Sequence, residues 1–240
     1  MRLIVDEVGF SYPGRVALEG ISFEASGPCT CLLGPNGAGK STLMGLVTGA
    51  LAVQRGSISV HSENRLVGYV PQEMQVDPSL TCAQFLDYCS WLKKIPRRTW
   101  PSERQRVLAQ VGLARHAQDK VGSLSGGMRR RLGIGQAFLG EPAWVVLDEP
   151  TNALDPAQRR ALLLLLRGMV GEGVGMLVST HLVEDAVTLA DDLVILSQGS
   201  VAWQGAAADL GADAATRSQQ LEALFLSVVR SEDGDADGPA

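Results

Sequence analysis

The sequence has no long apolar stretch. Its longest uninterrupted run, Ala161–Leu166, is six residues, whereas a helix needs about 20 to cross a bilayer. A spanning helix within the chain is therefore excluded. Cysteine is sparse as well: Cys29, Cys31, Cys82 and Cys89 show neither C-x-x-C spacing nor neighbouring histidines, so a metal site or disulfide framework is not expected and they read as small hydrophobes. A basic excess is also missing. The formal charge is −5, and four of the negative charges, Glu232, Asp233, Asp235 and Asp237, sit in the last ten residues; without those four the balance is −1. That gives no basic face for nucleic acid, and no nucleic-acid partner is expected. The N-terminal "MRLIVDEVGF" lacks the apolar core and small-residue cleavage site of a secretion signal, which gives a cytosolic address as the expectation. No internal repeat is visible.

What is present is a globular composition, 45% hydrophobic over 240 residues, enough for one large domain or two small ones. Short apolar runs bounded by turn residues at Leu3–Tyr12, Val16–Glu24, Cys29–Leu33, Gly56–Val60 and Leu66–Val70 predict strands around one early helix. From Leu80 to Phe138 the spacing becomes helical, with Phe85, Cys89 and Leu92 on one face, Val107 and Val111 on a second segment, and breaks at Pro96, Pro101 and Gly122. Strands at Trp144–Leu147, Gly175–Ser179 and Leu193–Leu196 then alternate with helices at Pro156–Val170 and Leu182–Leu189, the pattern of a parallel α/β sheet. A last helix over Arg217–Val229 carries Leu221, Leu224, Phe225 and Val228 on one stripe, and the acidic residues 231–240 read as a disordered tail.

The most specific signal is "GPNGAGKS", Gly34 to Ser41, which fits G-x-x-x-x-G-K-[ST] between a strand and a helix. Around Asn36, Gly37 and Gly39 the small residues let successive backbone N–H groups converge on one point, and the helix N-terminus adds partial positive charge. This is a polyphosphate cradle. Lys40 is placed to reach β- and γ-phosphates, Ser41 to ligate Mg²⁺ and Thr42 to donate to the α-phosphate. The apolar run "WVVLDEP" ends in Asp148, a partner for Mg²⁺, and Glu149, which is suited to polarise an attacking water.

Beyond these, "LSGGMRRRLGIGQAFL" at Leu124–Leu139 resembles the signature of ABC-type ATPases. Ser125 is expected to cap a helix whose Gly126 and Gly127 bare backbone N–H groups, a second anion site. Over residues 2–210 the further marks of that family follow in order: Tyr12 resembles the aromatic that stacks on adenine, Gln72 the Q-loop glutamine near Mg²⁺ and water, Asp155 the D-loop aspartate, and His181 the switch histidine at the γ-phosphate. Two departures stand out. Met128 replaces the glutamine of LSGGQ and removes a lateral amide contact, and "TNALDP" carries Asn152 and Ala153 where an Ala-Gly or Ser-Gly pair is common.

The resemblance implies an α/β P-loop NTPase core with a mostly parallel sheet, an N-terminal antiparallel β subdomain and an inserted α-helical subdomain. It places an ATPase domain over 1–210 with the insertion at about 73–140, then a C-terminal helix over 211–230. The implied function is ATP hydrolysis by the nucleotide-binding subunit of an ABC transporter, of the drug- or antibiotic-exporter type, on the cytoplasmic face of the membrane. Its implied cofactors are ATP and Mg²⁺, and its implied partners a separate membrane-spanning subunit and a second copy in a head-to-tail dimer. Phe85, Trp91, Leu92 and Ile95 are expected to line the groove for a helix of the membrane subunit. Arg129–Arg131 read as a solvated face or as partners in salt bridges. The competing reading, a soluble ABC-type ATPase acting on DNA or ribosomes, usually brings two cassettes or a long coiled coil, and neither is visible. A scaffold that only binds ATP would be expected to lack Glu149 and His181.

Overall fold

Apolar runs flanked by turn residues become strands, and segments with helical spacing become helices, in a computed structural model that describes residues 2–61, 66–73, 76–170 and 173–234, with side chains to 229. In chain order these are β1 (Arg2–Tyr12), β2 (Arg15–Ala25), β3 (Cys29–Leu33), α1 (Lys40–Val47), β4 (Arg55–His61), β5 (Val67–Val70), α2 (Cys82–Leu92), α3 (Trp100–Gln110), α4 (Gly126–Ala137), β6 (Trp144–Leu147), α5 (Pro156–Met169), β7 (Gly175–Thr180), α6 (Val183–Leu189), β8 (Asp192–Ser197), β9 (Ser200–Ala206) and α7 (Ala214–Gly234). They fall into two units, Met1–Ser62 with Gly175–Ala240, and Glu63–Val174.

In the first unit β1 pairs antiparallel with both β2 and β4, forming a three-stranded sheet. β3 runs parallel between β7 and β8, and β8 pairs antiparallel with β9. Every residue of β3 and β7 is buried, as expected of central strands covered on both faces. Leu33 is opposite Thr180 in register, so the loop after β3 and His181 after β7 leave neighbouring strands at the same edge. The strand β9, which no apolar run announced, is joined to β8 through Gln198 and Gly199 at φ 46° and 78°, the paired positive values of a two-residue hairpin turn. At the C-terminus α7 continues through Gly234, so 231–234, expected in the tail, have helical backbone; 235–240 lie outside the described residues.

In the second unit β5 and β6 are parallel, with Val70 opposite Leu147. Gln72 and the Asp148–Glu149 pair therefore follow the carboxyl ends of adjacent strands, where α/β sheets gather their chemistry. Pro101 lies in the first turn of α3, where its missing N–H costs nothing; it starts the helix instead of breaking it. The six-residue run Ala161–Leu166 lies on α5, with Leu162, Leu163 and Leu166 buried and Leu164 exposed. It is an amphipathic surface. All four cysteines are free and buried, in keeping with their reading as small hydrophobes.

The C-terminus of α4 is anchored from α2 and α3. Lys93 Nζ donates to the carbonyls of Gln136 at 2.7 Å, Ala137 at 3.2 Å and Leu139 at 3.4 Å, while Arg106 Nη2 donates to that of Phe138 at 2.9 Å. The last carbonyls of a helix lack the i+4 amide that serves the others; that of Gln136 has in addition only the long bond from the Leu139 amide at 3.4 Å and the Phe138 cap amide. Burial lowers the Lys93 pKa from 10.5 to about 8, against the pull of Cys89 and Glu103. Between those two values the unfolded chain holds a proton that the folded chain has released, so unfolding free energy rises with pH by up to about 1.4 kcal/mol per unit. Below about pH 8 both states are protonated and the slope vanishes. Denaturant unfolding from pH 7 to 10 is expected to show a difference between wild type and Lys93→Met that grows with pH across this window. A pH-independent difference would mean that Lys93 does not titrate there.

Candidate active site

The loop after β3 has the shape its glycines require. Gly39 caps α1 at φ 101° with no side chain on the helix's first amides. A Cβ there would lie 2.6 Å from Leu18 Cδ2 and 2.9 Å from the Ala17 carbonyl, so backbone shape and space both demand glycine. The first N–H groups of α1 are thereby left for an anion. Lys40 is only 6% exposed, and its Nζ donates to the carbonyls of Gly34 at 2.7 Å and Pro35 at 3.0 Å. The loop thus carries a buried cation. Asn36, Gly37 and Ser41 are exposed and Thr42 is half-buried.

Tyr12 stands beside this loop. Its hydroxyl is 3.4 Å from Thr42 Oγ1, and its ring meets Phe10 edge-on at 5.0 Å, leaving it partly exposed. A partly exposed aromatic braced at the mouth of a phosphate cradle is suited to a flat base. In the same unit His181 is half-buried at the end of β7, and the next turn is fixed by Thr180 Oγ1, which accepts from the Leu182 amide at 3.0 Å.

In the second unit Asp148 and Glu149 are 3% and 6% exposed. The Asp148 amide donates to the Val70 carbonyl at 2.9 Å, extending the β5–β6 ladder to the carboxylates. Glu149 has φ 48°, a left-handed conformation that costs a non-glycine residue of order 1–3 kcal/mol and collects at functional sites. Gln72 is exposed. Ser125 caps α4, its Oγ accepting from the Met128 amide at 3.2 Å. A Cβ at Gly126 would meet nothing within 4 Å, whereas one at Gly127 would lie 2.9 Å from Gln158 Oε1, so this helix N-terminus is open on the Gly126 side and packed against α5 at Gly127. Asp155 caps α5 through Oδ1, which accepts from Ala157 at 3.0 Å and Gln158 at 2.9 Å; one of its oxygens thus has a structural task. Ala153 stands at φ 61°, showing that the position where the family often has glycine keeps a glycine-like backbone despite its methyl group.

The family model described as "ABC transporter" matches residues 18–152. The chain belongs to that family. It is 34% identical over 237 residues to an uncharacterized ABC transporter ATP-binding protein, YxlF, of Bacillus subtilis, covering 97% of this chain and 78% of that protein. It is 35% identical over 206 residues to the Nod factor export ATP-binding protein I of Burkholderia orbicola, covering 81% of this chain and 67% of that protein. Among solved structures, an ATP-binding subunit of an ABC transporter superposes with a TM-score of 0.79 at 27% identity, covering 95% of this chain and all of that one. The α/β fold with its parallel strands and antiparallel sheet is therefore that of ABC ATPase domains, and this ABC protein is an ATP-binding, ATP-hydrolysing transporter subunit. Such subunits work with membrane-spanning partners; among the described residues of this one no helix is long and apolar enough to cross a membrane.

Two expectations about this ABC ATPase need correction. Phe85 is 7% exposed and belongs to the core beneath α2, because its face of the helix packs inward; it lines no groove. Arg130 is half-buried, and instead of facing solvent or an acid its guanidinium donates to backbone carbonyls on two other segments. Arg131 turns inward as well, its Nη1 donating to the Val111 carbonyl at 3.4 Å, and three arginines in a row give no sign of which of them do so. The positive φ of Glu149 was equally hidden in the sequence.

Proposed function

We propose that this ABC subunit powers an exporter, working as a head-to-tail dimer in which each ATP is held by the phosphate loop of one copy and the signature helix of the other. The observation that carries the reading is the N-terminus of α4, where Ser125 and Gly126 are exposed and a Cβ at Gly126 would meet nothing within 4 Å, leaving room for a phosphate brought by a facing molecule. Tyr12 stacks on adenine, and Asn36, Gly37, Gly39, Lys40 and Thr42 hold the phosphates. Ser41, Gln72 and Asp148 offer a hydroxyl, an amide oxygen and a carboxylate, a hard-oxygen set suited to Mg²⁺ that arrives with the nucleotide. Mg²⁺ bound there would neutralise charge on the β- and γ-phosphates. Glu149 polarises the attacking water, Gln72 orients it, and His181 contacts the γ-phosphate. Ser125, Gly126, Gly127 and Asp155 complete the site from the second copy. Closure on ATP and reopening after hydrolysis supply the stroke.

Export is supported by the export role of the Nod factor relative. The docking site for the membrane subunit is the exposed end of α2, where Tyr88 and Trp91 stack at 6.0 Å and Trp91 and Leu92 are 62% and 55% exposed. Apolar groups exposed side by side on one helix end are suited to a partner's helix. Tagged chain purified from detergent-solubilised membranes is expected to bring a membrane-spanning subunit with it. Trp91→Glu combined with Leu92→Glu is expected to lose that subunit while keeping ATP binding. Retention by the double variant would overturn the docking site, and co-purification of an extracytoplasmic solute-binding protein would overturn export.

A further inference from the structure

Arg130 is the middle of three consecutive arginines, and on the first turns of α4 it points at five backbone carbonyls. Nε donates to Pro150 at 2.8 Å; Nη2 donates to Glu149 at 2.9 Å and Asp148 at 3.3 Å; Nη1 donates to Gln72 at 3.1 Å and Pro71 at 3.3 Å. A guanidinium is a rigid planar fork with five N–H donors, and here the fork spans two segments that leave the ends of β5 and β6. Its bonds fall on the peptide groups on both sides of Glu149, the residue held at φ 48°. A strained residue keeps its conformation only when the surrounding structure over-determines it. Burial lowers the Arg130 pKa while the charge of Asp148 opposes that fall; the charge sits in a partly dry place where each bond to a carbonyl is strengthened.

We propose that Arg130 is a positioning residue for hydrolysis: it locks the Gln72 segment to the Asp148–Pro150 turn, so that the glutamine and the Glu149 carboxylate are presented to the water and γ-phosphate as one rigid assembly. The proposal rests on the roles given above to Glu149 and Gln72. The bonds of Arg130 reach main chain only, so its removal alters the placement of the reacting groups and leaves the Lys40 cradle unchanged.

The test is ATP hydrolysis and binding by the full-length chain carrying Arg130→Ala or Arg130→Lys. Both are expected to lower kcat by about 10- to 100-fold, the scale of a misplacement of order 1 Å, with ATP affinity within about twofold of wild type by fluorescent-nucleotide titration. Lysine keeps the charge but not the fork, so it should not rescue turnover; it also carries the test if the alanine variant fails to fold. In a Glu149→Gln background, single-turnover rates should fall clearly less on adding Arg130→Lys than they do in wild type, because one of the two groups being positioned is already gone. A folded Arg130→Lys with kcat within twofold of wild type overturns the proposal, and so does an equally large loss in the Glu149→Gln background. If Glu149→Gln alone keeps wild-type turnover, it is the assignment of the acid that fails; if it is inactive while both Arg130 variants turn over normally, the fault is with Arg130 alone.

Discussion

Glu149→Gln is expected to lower ATP turnover by about two to four orders of magnitude while leaving ATP binding intact, the usual consequence of removing a group that takes or directs a proton in the transition state. The substitution is nearly isosteric. The amide can occupy the same buried place at the end of β6, and the backbone that holds residue 149 at φ 48° need not change. What is lost is the negative charge that would polarise a water beside the γ-phosphate. Because binding continues and hydrolysis does not, the ATP-bound closed form should accumulate. Size-exclusion chromatography with MgATP is expected to show a dimer for Glu149→Gln under conditions where wild type runs mostly as monomer, and phosphate release should be near background. Turnover within a few-fold of wild type would mean that another residue polarises the water. Failure to dimerise despite tight ATP binding would count against sites shared between two copies.

Lys40→Ala should act one step earlier and abolish tight binding. In the structure the Lys40 ammonium is buried and donates to the Gly34 and Pro35 carbonyls, and ATP would offer it charged phosphate oxygens, stronger acceptors than those carbonyls. The cost of deleting that cation is about 2 kcal/mol or more, a fall in affinity of at least about 30-fold. Lys40→Arg is expected to do little better, since a planar fork cannot reproduce the geometry of a compact ammonium donating to the Gly34 and Pro35 carbonyls. Titration with a fluorescent ATP analogue measures the loss, and thermal melting without nucleotide confirms that the alanine chain remains folded. Wild-type affinity in a folded Lys40→Ala would remove the phosphate loop from the site.

These features differ in how plainly the sequence announced them. The boundaries of β3 and β6 were legible to the residue because both are continuous apolar runs buried along their whole length, and no helix face competes for that pattern at four or five residues. The phosphate loop was legible because glycine and lysine at fixed spacing have one economical explanation. β9 was not, since "SVAWQGA" alternates only weakly and its burial is partial; the Gln198-Gly199 pair was its one available sign. Pro101 was misread because a proline that ends one helix and a proline that opens another look alike until the Trp100 and Gln110 ends are known. Phe85 and Trp91 share one short helix, and only the packing beneath it decides that the first is core and the second surface. Arg130 lies furthest beyond local reading, because its acceptors are 18 to 20 residues away on one side and 58 to 59 on the other. The roles of carbonyl groups have no signature in side-chain patterns at all.

The pairing of β3 with β7 also sets a clock for the newborn chain. β3, buried at every position, emerges from the ribosome early, yet the partner it shares a ladder with begins at Gly175, about 140 residues later. At roughly 5–20 residues per second of synthesis, the strand that ends in the phosphate loop waits about 7 to 30 s without the neighbours on either of its sides, since β8 comes later still. Collapse of a short chain takes microseconds, so this is ample time for a bare apolar edge to find a wrong mate. The nucleotide cradle, first of the functional motifs to be translated after Tyr12, is therefore among the last to be secured.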